Sequence, residues 1–383
     1  MNNTNNSDLD TLKTEIPPVI DISPFVISES SILHNSDPFV WEQPMGTELA
    51  HYKLHKNIPL GDNIDTKRKI INTYLGIPWG RFDAVKYFFP LDLIKFLKHK
   101  IQQLKALATQ AGYVLKVHTV AQKENWKAFI SLFEEIDITD VHGVQYEDHF
   151  IHNFNPFRYK KITFHCLPFE AINTEVPGRN EGLKNIPFEE KKYLATFKGA
   201  HMPHYKSDIR IVLKDAYNKE KNKSDILVEL TDEWFYNKEI FSHFYKTSTE
   251  EEKQKEITSQ QEKTRMYNEL LSNSIFALCP EGGGVNSIRF WEALSIGTIP
   301  VLLVSKAELP LMLSIHPDLY KCCYVVFRHN LYTMFRDLRE KTKNVSHIKE
   351  MSQLCMNVYK QLRHRTTFEN QYSKEHTIFS VFL

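Results

Sequence analysis

The sequence has little cysteine, no excess of charge of either sign, no long apolar run and a single Asp-x-Asp. Its five cysteines, Cys166, Cys279, Cys322, Cys323 and Cys355, are odd in number and irregular in spacing. Neither a disulfide framework nor a zinc-ligand pattern is present. Cys322 and Cys323 run into the apolar Tyr324–Phe327 and read as small hydrophobes in or beside a strand. Free thiols in a reducing compartment are expected. The formal net charge of +1 argues against a protein that wraps nucleic acid, so phosphate binding has to come from particular arginines and lysines. No uncharged stretch approaches the roughly 20 residues that span a bilayer. Met1–Thr14 has neither a basic start nor an apolar run, so no signal peptide is expected. The expectation is a cytoplasmic protein, at most peripheral at the inner membrane face.

What is present suits two soluble domains: 383 residues, 42% hydrophobic and 25% charged. Residues 1–35 are polar and Pro-punctuated, and read as a disordered or loosely packed tail. A first Rossmann-like domain is expected over 36–187. Its clearest elements are helices at 91–111 and 124–135 and strands at 113–119 and 161–166, with Gly112 as a helix stop. Pro177, Gly178 and Pro187 mark the linker. A second Rossmann-like domain is expected over 188–344, with strands at 193–197, 225–230, 274–279 and 299–304 and helices at 207–217 and 287–296. The charged run 247–263 reads as a solvated helix or loop. Strands alternating with helices imply parallel sheets covered on both faces. A helix over 345–365, within a final segment 345–383, could pack back onto the first domain.

The informative stretch is Ser274–Val304, one βαβ unit. Its first strand ends at Pro280. Gly282, Gly283 and Gly284 allow positive φ and close approach of backbone N–H groups to a ligand. Asn286 or Ser287 can cap the following helix, and Gly297 ends it before a right-handed return to a parallel strand. A glycine-lined helix N-terminus at the carboxyl edge of a sheet favours an anion. Arg289, in the first turn, can offer a planar fork to phosphate. Glu292, three residues on, shares its helix face and can accept hydrogen bonds from a ribose. The alternative is a surface ion pair of little worth. Lys206 and Arg210 flank Ser207, a candidate cap of a second helix aimed at the same anion. Arg210 could instead pair with Asp208 or Asp215.

This run resembles the signature of the exostosin-like glycosyltransferases of family 47. The matching residues are Ser274, Phe276, Leu278, Pro280, Gly282, Ser287, Arg289, Glu292, Ala293, Gly297, Ile299, Pro300 and Val301. Upstream, Phe197-Lys-Gly-Ala and Ser207-Asp-Ile-Arg210 are similar to the soluble bacterial members. The resemblance implies the GT-B architecture, two Rossmann-like domains whose parallel sheets face an interdomain cleft. It also implies a nucleotide-sugar donor, with UDP the expected nucleotide, inversion at the anomeric carbon, and a glycan or lipid-linked saccharide acceptor in surface polysaccharide synthesis. Thr298 departs from the cysteine of many members. No stretch resembles the anchor or second catalytic domain of the animal exostosins, so their heparan-sulfate substrate is not carried over.

An inverting transfer needs a base for the acceptor hydroxyl, expected on the first domain. The candidates are Asp140, His142, Glu147, Asp148, Glu170 and His118; for any one of them a surface or capping role is the favoured reading, and the sequence does not identify the base. The one Asp-x-Asp is Asp8-Leu-Asp10, in the tail, and no histidine spacing carries a zinc reading. No metal or other cofactor is expected, with backbone dipoles and basic side chains stabilising the leaving diphosphate instead. Gly282–Ser287 lacks the third glycine of a dinucleotide fingerprint, and no P-loop lysine is present. The remaining alternative is an inert nucleotide- or sugar-binding protein that keeps the fold.

Overall fold

A computed structural model of the chain describes residues 6–22, 46–80, 89–122, 124–144, 157–203, 205, 207–235, 248–305, 311–363 and 365–369. The chain forms two compact units. The first takes in the described residues up to Leu167 together with 365–369, and the second runs over Pro168–Arg363. Each carries its own α/β sheet built around parallel strands, in keeping with the two-domain GT-B plan.

The first unit holds β1 (Ile64–Asp65), β2 (Ile70–Tyr74), β3 (Val114–Ala121), β4 (Asp140–Gly143), β5 (Phe157–Tyr159) and β6 (Ile162–Cys166). Their order is β1-β2-β3-β4-β6-β5. The four central strands are parallel, and the short edge strands β1 and β5 are antiparallel. Because side chains alternate across a strand, Ile71, Val117, Val141 and Phe164 face one way. They join Leu93, Leu97, Ile101 and Leu104, the buried stripe of the Leu91–Gln110 helix, in one core cluster. That stripe recurs every three or four residues, and the chain leaves the helix through Gly112 at φ +76.

The expected loose tail is in part a packed element. Asn6–Glu15 is helical, and Leu12, Ile16, Ile20 and Ile22 are buried in the first unit's core. Backbone bonds from Ile20 N–H to Tyr74 O (2.9 Å) and from Tyr74 N–H to Pro18 O (2.7 Å) tie it to β2. Leu12 on the helix and Ile16, Ile20 and Ile22 beyond it bury enough apolar surface to hold a polar segment in place.

The second unit has β7 (Tyr193–Ala200), β8 (Ile226–Thr231), β9 (Ser274–Pro280), β10 (Ile299–Val304) and β11 (Tyr324–Phe327). They are all parallel, in the order β11-β10-β9-β7-β8. The chain builds β8 on one side of β7, then crosses to β9 on the other, so the direction of winding reverses between β7 and β9. Residues 168–187 pack within this unit, and the division falls at 167/168 where a linker near 187 was expected. The Val345–Arg363 helix also belongs to it, with Ser352 Oγ donating to Gly297 O (2.6 Å). The charged run forms the helix Glu250–Ser272, started by a capping box between Thr249 and Glu252. No helix among the described residues is long and apolar enough to cross a membrane.

Candidate anion site and buried histidine face

In an open α/β sheet the crevice beyond the carboxyl ends of two strands, where winding reverses, is where ligands collect. In the second unit that place is the gap between the ends of β7 and β9, and Arg210 lies across it. Its Nε donates to Glu281 O (2.9 Å), Nη2 to Pro280 O (3.4 Å) and Nη1 to Ala200 O. The guanidinium packs 4.7 Å from the Tyr205 ring and 5.5 Å from the Phe197 ring. Burial lowers its pKa to about 10, which leaves it charged at neutral pH. The carboxylates weighed as its partners are taken: Asp208 by Arg328 (2.7 Å), and Asp215 by Lys219 (2.7 Å) and Tyr332 (2.7 Å).

The βαβ unit forms as read, with Pro280 still paired opposite Leu303. Two local expectations fail. None of Gly282, Gly283 and Gly284 is among the positive-φ glycines. Gly282 is needed instead for space, since a Cβ there would stand 2.8 Å from Arg210 Nη2. Nor does the Ser287 side chain make a cap hydrogen bond to the Ile288–Ser295 helix. Asn286 Oδ1 accepts from Trp291 Nε1 (2.7 Å), because the fully buried indole needs an acceptor. The Ser287 hydroxyl is buried without a partner. The helix thus starts with first-turn N–H groups that its N-cap side chain leaves free for another acceptor.

Arg289 rises from that first turn. Its Nη2 donates to Lys198 O, near the end of β7, and its guanidinium lies 4.4 Å from the Phe197 ring and 5.6 Å from the Tyr267 ring. Its Nη1 is buried and has no partner. Glu292 is not the surface ion-pair partner of Arg289. It is 2% exposed, Oε1 accepts from Asn173 N–H (3.0 Å) and Oε2 from Tyr267 O–H (2.6 Å). Burial raises its pKa. Sequence reasoning missed Tyr205, Tyr267 and the aromatic role of Phe197, since no local pattern shows which ring will stand under which cation. It also missed Glu281, whose carboxylate accepts from Ser305 N–H and Oγ, each at 2.7 Å. Lys206 lies outside the described residues.

Residues 165–315 match the exostosin GT47 domain, a glycosyltransferase family, and the matched span takes in β7 to β10 with both arginines. That stretch is similar to an exostosin-like GT47 domain. Exostosin-1 of Mus musculus is 33% identical over 125 residues, which cover 31% of this chain and 14% of that protein. Exostosin-1 of Bos taurus is 32% identical over the same shares. The matched stretch is thus a small part of those longer proteins.

The expected base candidates fall mostly outside the GT47 match. Glu147 and Asp148 lie outside the described residues. Glu170 belongs to the second unit, not to the first as expected, and burial raises its pKa. Asp140, His142 and His118 share a buried face of the first sheet, opposite the hydrophobic core. Asp140 accepts from His165 Nε2 (2.9 Å) and Thr139 Oγ1 (2.7 Å), with Lys116 Nζ at 3.3 Å. Despite burial, the His165 hydrogen bond, with the nearby histidines and Lys116, holds its pKa well below the usual carboxylate range. His142 stacks on His165 with centroids 4.4 Å apart.

The hydrogen-bond network assigns the histidine tautomers. Asn72 Nδ2 donates to Asn63 O (3.3 Å), which turns its Oδ1 to His118 Nε2 (3.1 Å). His118 therefore carries its proton on Nε2 and accepts at Nδ1 from His142 Nε2–H (3.1 Å). His142 Nδ1 is then an unprotonated nitrogen, buried without a partner. Burial lowers the pKa of His118 to about 4 and that of His142 well below the ordinary histidine value. His55, on the Thr47–Lys56 helix, closes over the same face by stacking on Tyr74 at 4.1 Å. Among the described residues, no three His, Cys, Asp or Glu side chains are grouped to hold a metal ion.

Proposed function

We propose that this chain is an inverting glycosyltransferase that uses a UDP-linked sugar and transfers the sugar to a glycan or lipid-linked saccharide. The observation that supports it is a pair of guanidiniums at the winding reversal of the GT47 sheet, one with a buried, unpartnered N–H donor, beside an uncapped helix N-terminus. As the bond between the anomeric carbon and the diphosphate breaks, negative charge builds on the leaving oxygens. Arg289, Arg210 and the first-turn N–H groups are preorganised donors that strengthen their hold as that charge appears. This arrangement asks for no metal. The reading extends to a cytoplasmic setting, where buried thiols stay reduced, and to contact with the inner membrane face through a lipid-linked acceptor.

The test is release of nucleoside diphosphate from a panel of nucleotide sugars, by wild type and by Arg289→Ala. Turnover should fall by about 10²-fold or more in the variant, the scale of a lost charge-stabilising donor. A wild-type protein that is thermally stabilised by a nucleotide sugar yet releases nothing is an inert binding protein. Equal turnover in both proteins removes the anion site from the second sheet's edge.

A further inference from the structure

Phe197 faces inward on β7, 2% exposed, and the guanidiniums of both Arg289 and Arg210 lie within 5.5 Å of its ring centroid. Two residues on, Gly199 falls on the same strand face. A Cβ at Gly199 would stand 3.3 Å from Arg289 Nη2 and 3.3 Å from the ring's Cζ. Gly282 leaves similar room beside Arg210, as described above. The side chains at 197 and 199 thus offer no polar group to a ligand, yet they decide where two cations rest. Those cations repel: Arg289 is among the groups that lower the pKa of Arg210. The negative face of an aromatic ring offsets part of that repulsion.

We propose that Phe197 and Gly199 are positioning residues for diphosphate recognition. The ring holds both guanidiniums at the strand ends, and the absent side chain at 199 lets Arg289 lie against it. The proposal rests on the reading of Arg210 and Arg289 as diphosphate readers. Phe197→Leu keeps an apolar side chain in the core and removes the π face. Gly199→Ala narrows the seat of Arg289 without backbone strain, since Gly199 does not need positive φ.

The experiment is calorimetric titration of wild type, Phe197→Leu, Gly199→Ala and Arg289→Ala with UDP, GDP and the corresponding monophosphates. Each positioning variant should bind the diphosphate roughly tenfold more weakly, the scale of desolvated cation–π contacts. The monophosphate should lose less, so the ratio of the two affinities falls. A role limited to packing would lower both equally, and that result overturns the proposal. So does undiminished diphosphate binding by a folded Phe197→Leu or Gly199→Ala while Arg289→Ala binds weakly, which would leave the reading of the arginines intact. Wild type that binds neither diphosphate overturns the underlying reading and this proposal with it. Gly199→Ala carries the test should Phe197→Leu fail to fold.

Discussion

Acidification from about pH 7 to about pH 5 should cost the first unit several kcal/mol while leaving its carboxylate Asp140 ionised. His118 and His51 have pKa values lowered by burial to about 4 from 6.5. Burial also lowers the pKa values of His55 and His142 well below the ordinary histidine value. A histidine whose folded pKa is depressed binds its proton more readily in the unfolded chain. Its contribution is therefore complete above about 6.5 and is lost as the pH falls from there towards the folded value. At about 1.4 kcal/mol per pH unit, each loses about 2 kcal/mol by pH 5, or about 4 kcal/mol for the two together. Domains are typically stable by about 5–15 kcal/mol, so this is a large share. Asp140 is silent in this window, because its stabilisation is lost only below the ordinary carboxylate range. Urea unfolding at the two pH values should show the loss, with hydrogen exchange over β3 and β4 identifying the unit. In His118→Gln the amide can still donate to Asn72 Oδ1 and accept from His142 Nε2–H, so the pH slope should shrink by about one proton's worth. An unfolding free energy that is flat across this range, or ring resonances of His118 titrating near pH 6.5, would refute the reasoning.

Glu292→Ala leaves the Asn173 N–H and the Tyr267 O–H without their acceptor, so thermal unfolding should register a loss of about 1–3 kcal/mol per orphaned group. Glu292→Gln keeps an amide oxygen for one of them and should lose less; unchanged stability with a raised donor KM would instead mean that the carboxylate reads ribose. Activity should persist in EDTA, because the sole Asp-x-Asp is Asp8-Leu-Asp10, on the Asn6–Glu15 helix where Asp10 pairs with Lys13. Loss with chelator and recovery with manganese would contradict it. The five cysteines are buried thiols, and burial pushes Cys279 up to about 12, so alkylation monitored by mass spectrometry should label them only after unfolding. Rapid labelling of native protein would show that one of them is exposed and ionisable.

The Ser274–Val304 unit was legible because its punctuation is local. Pro280 ends a strand, Gly297 (φ +73) ends a helix, and the observed elements Ser274–Pro280, Ile288–Ser295 and Ile299–Val304 fall within a residue or so of expectation. β4 was not legible as a strand. Asp140-Val-His-Gly is four residues long with two polar side chains, and its place depends on register with β3 and β6. The turn signals at Pro177 and Gly178 were real, but they do not mark the boundary. Asn268 Nδ2 donates to the carbonyls of Asn173, Arg179 and Glu181, each at 2.8 Å, and so fastens the segment to the second unit. Nothing near those turns in sequence could announce a partner some ninety residues on.

The sequence by itself determined the parallel α/β class, the strand–loop–helix that puts Arg289 at a sheet edge, and the absence of a disulfide pattern. Each follows from neighbours a few residues apart, through periodicity, turn chemistry and composition. The tertiary structure decided which side chains are available to a ligand. Alternation in His118-Thr-Val, Asp140-Val-His and Thr163-Phe-His fixes which residues share a face. It does not say that the Thr47–Lys56 helix will cover that face and leave the histidines dry. Glu292 and Arg289 lie a helical step apart, yet Tyr267 and Asn173 draw one into the interior while Phe197 and Lys198 hold the other at the strand ends. Such contacts join residues tens to hundreds of positions apart, and only the folded chain supplies them.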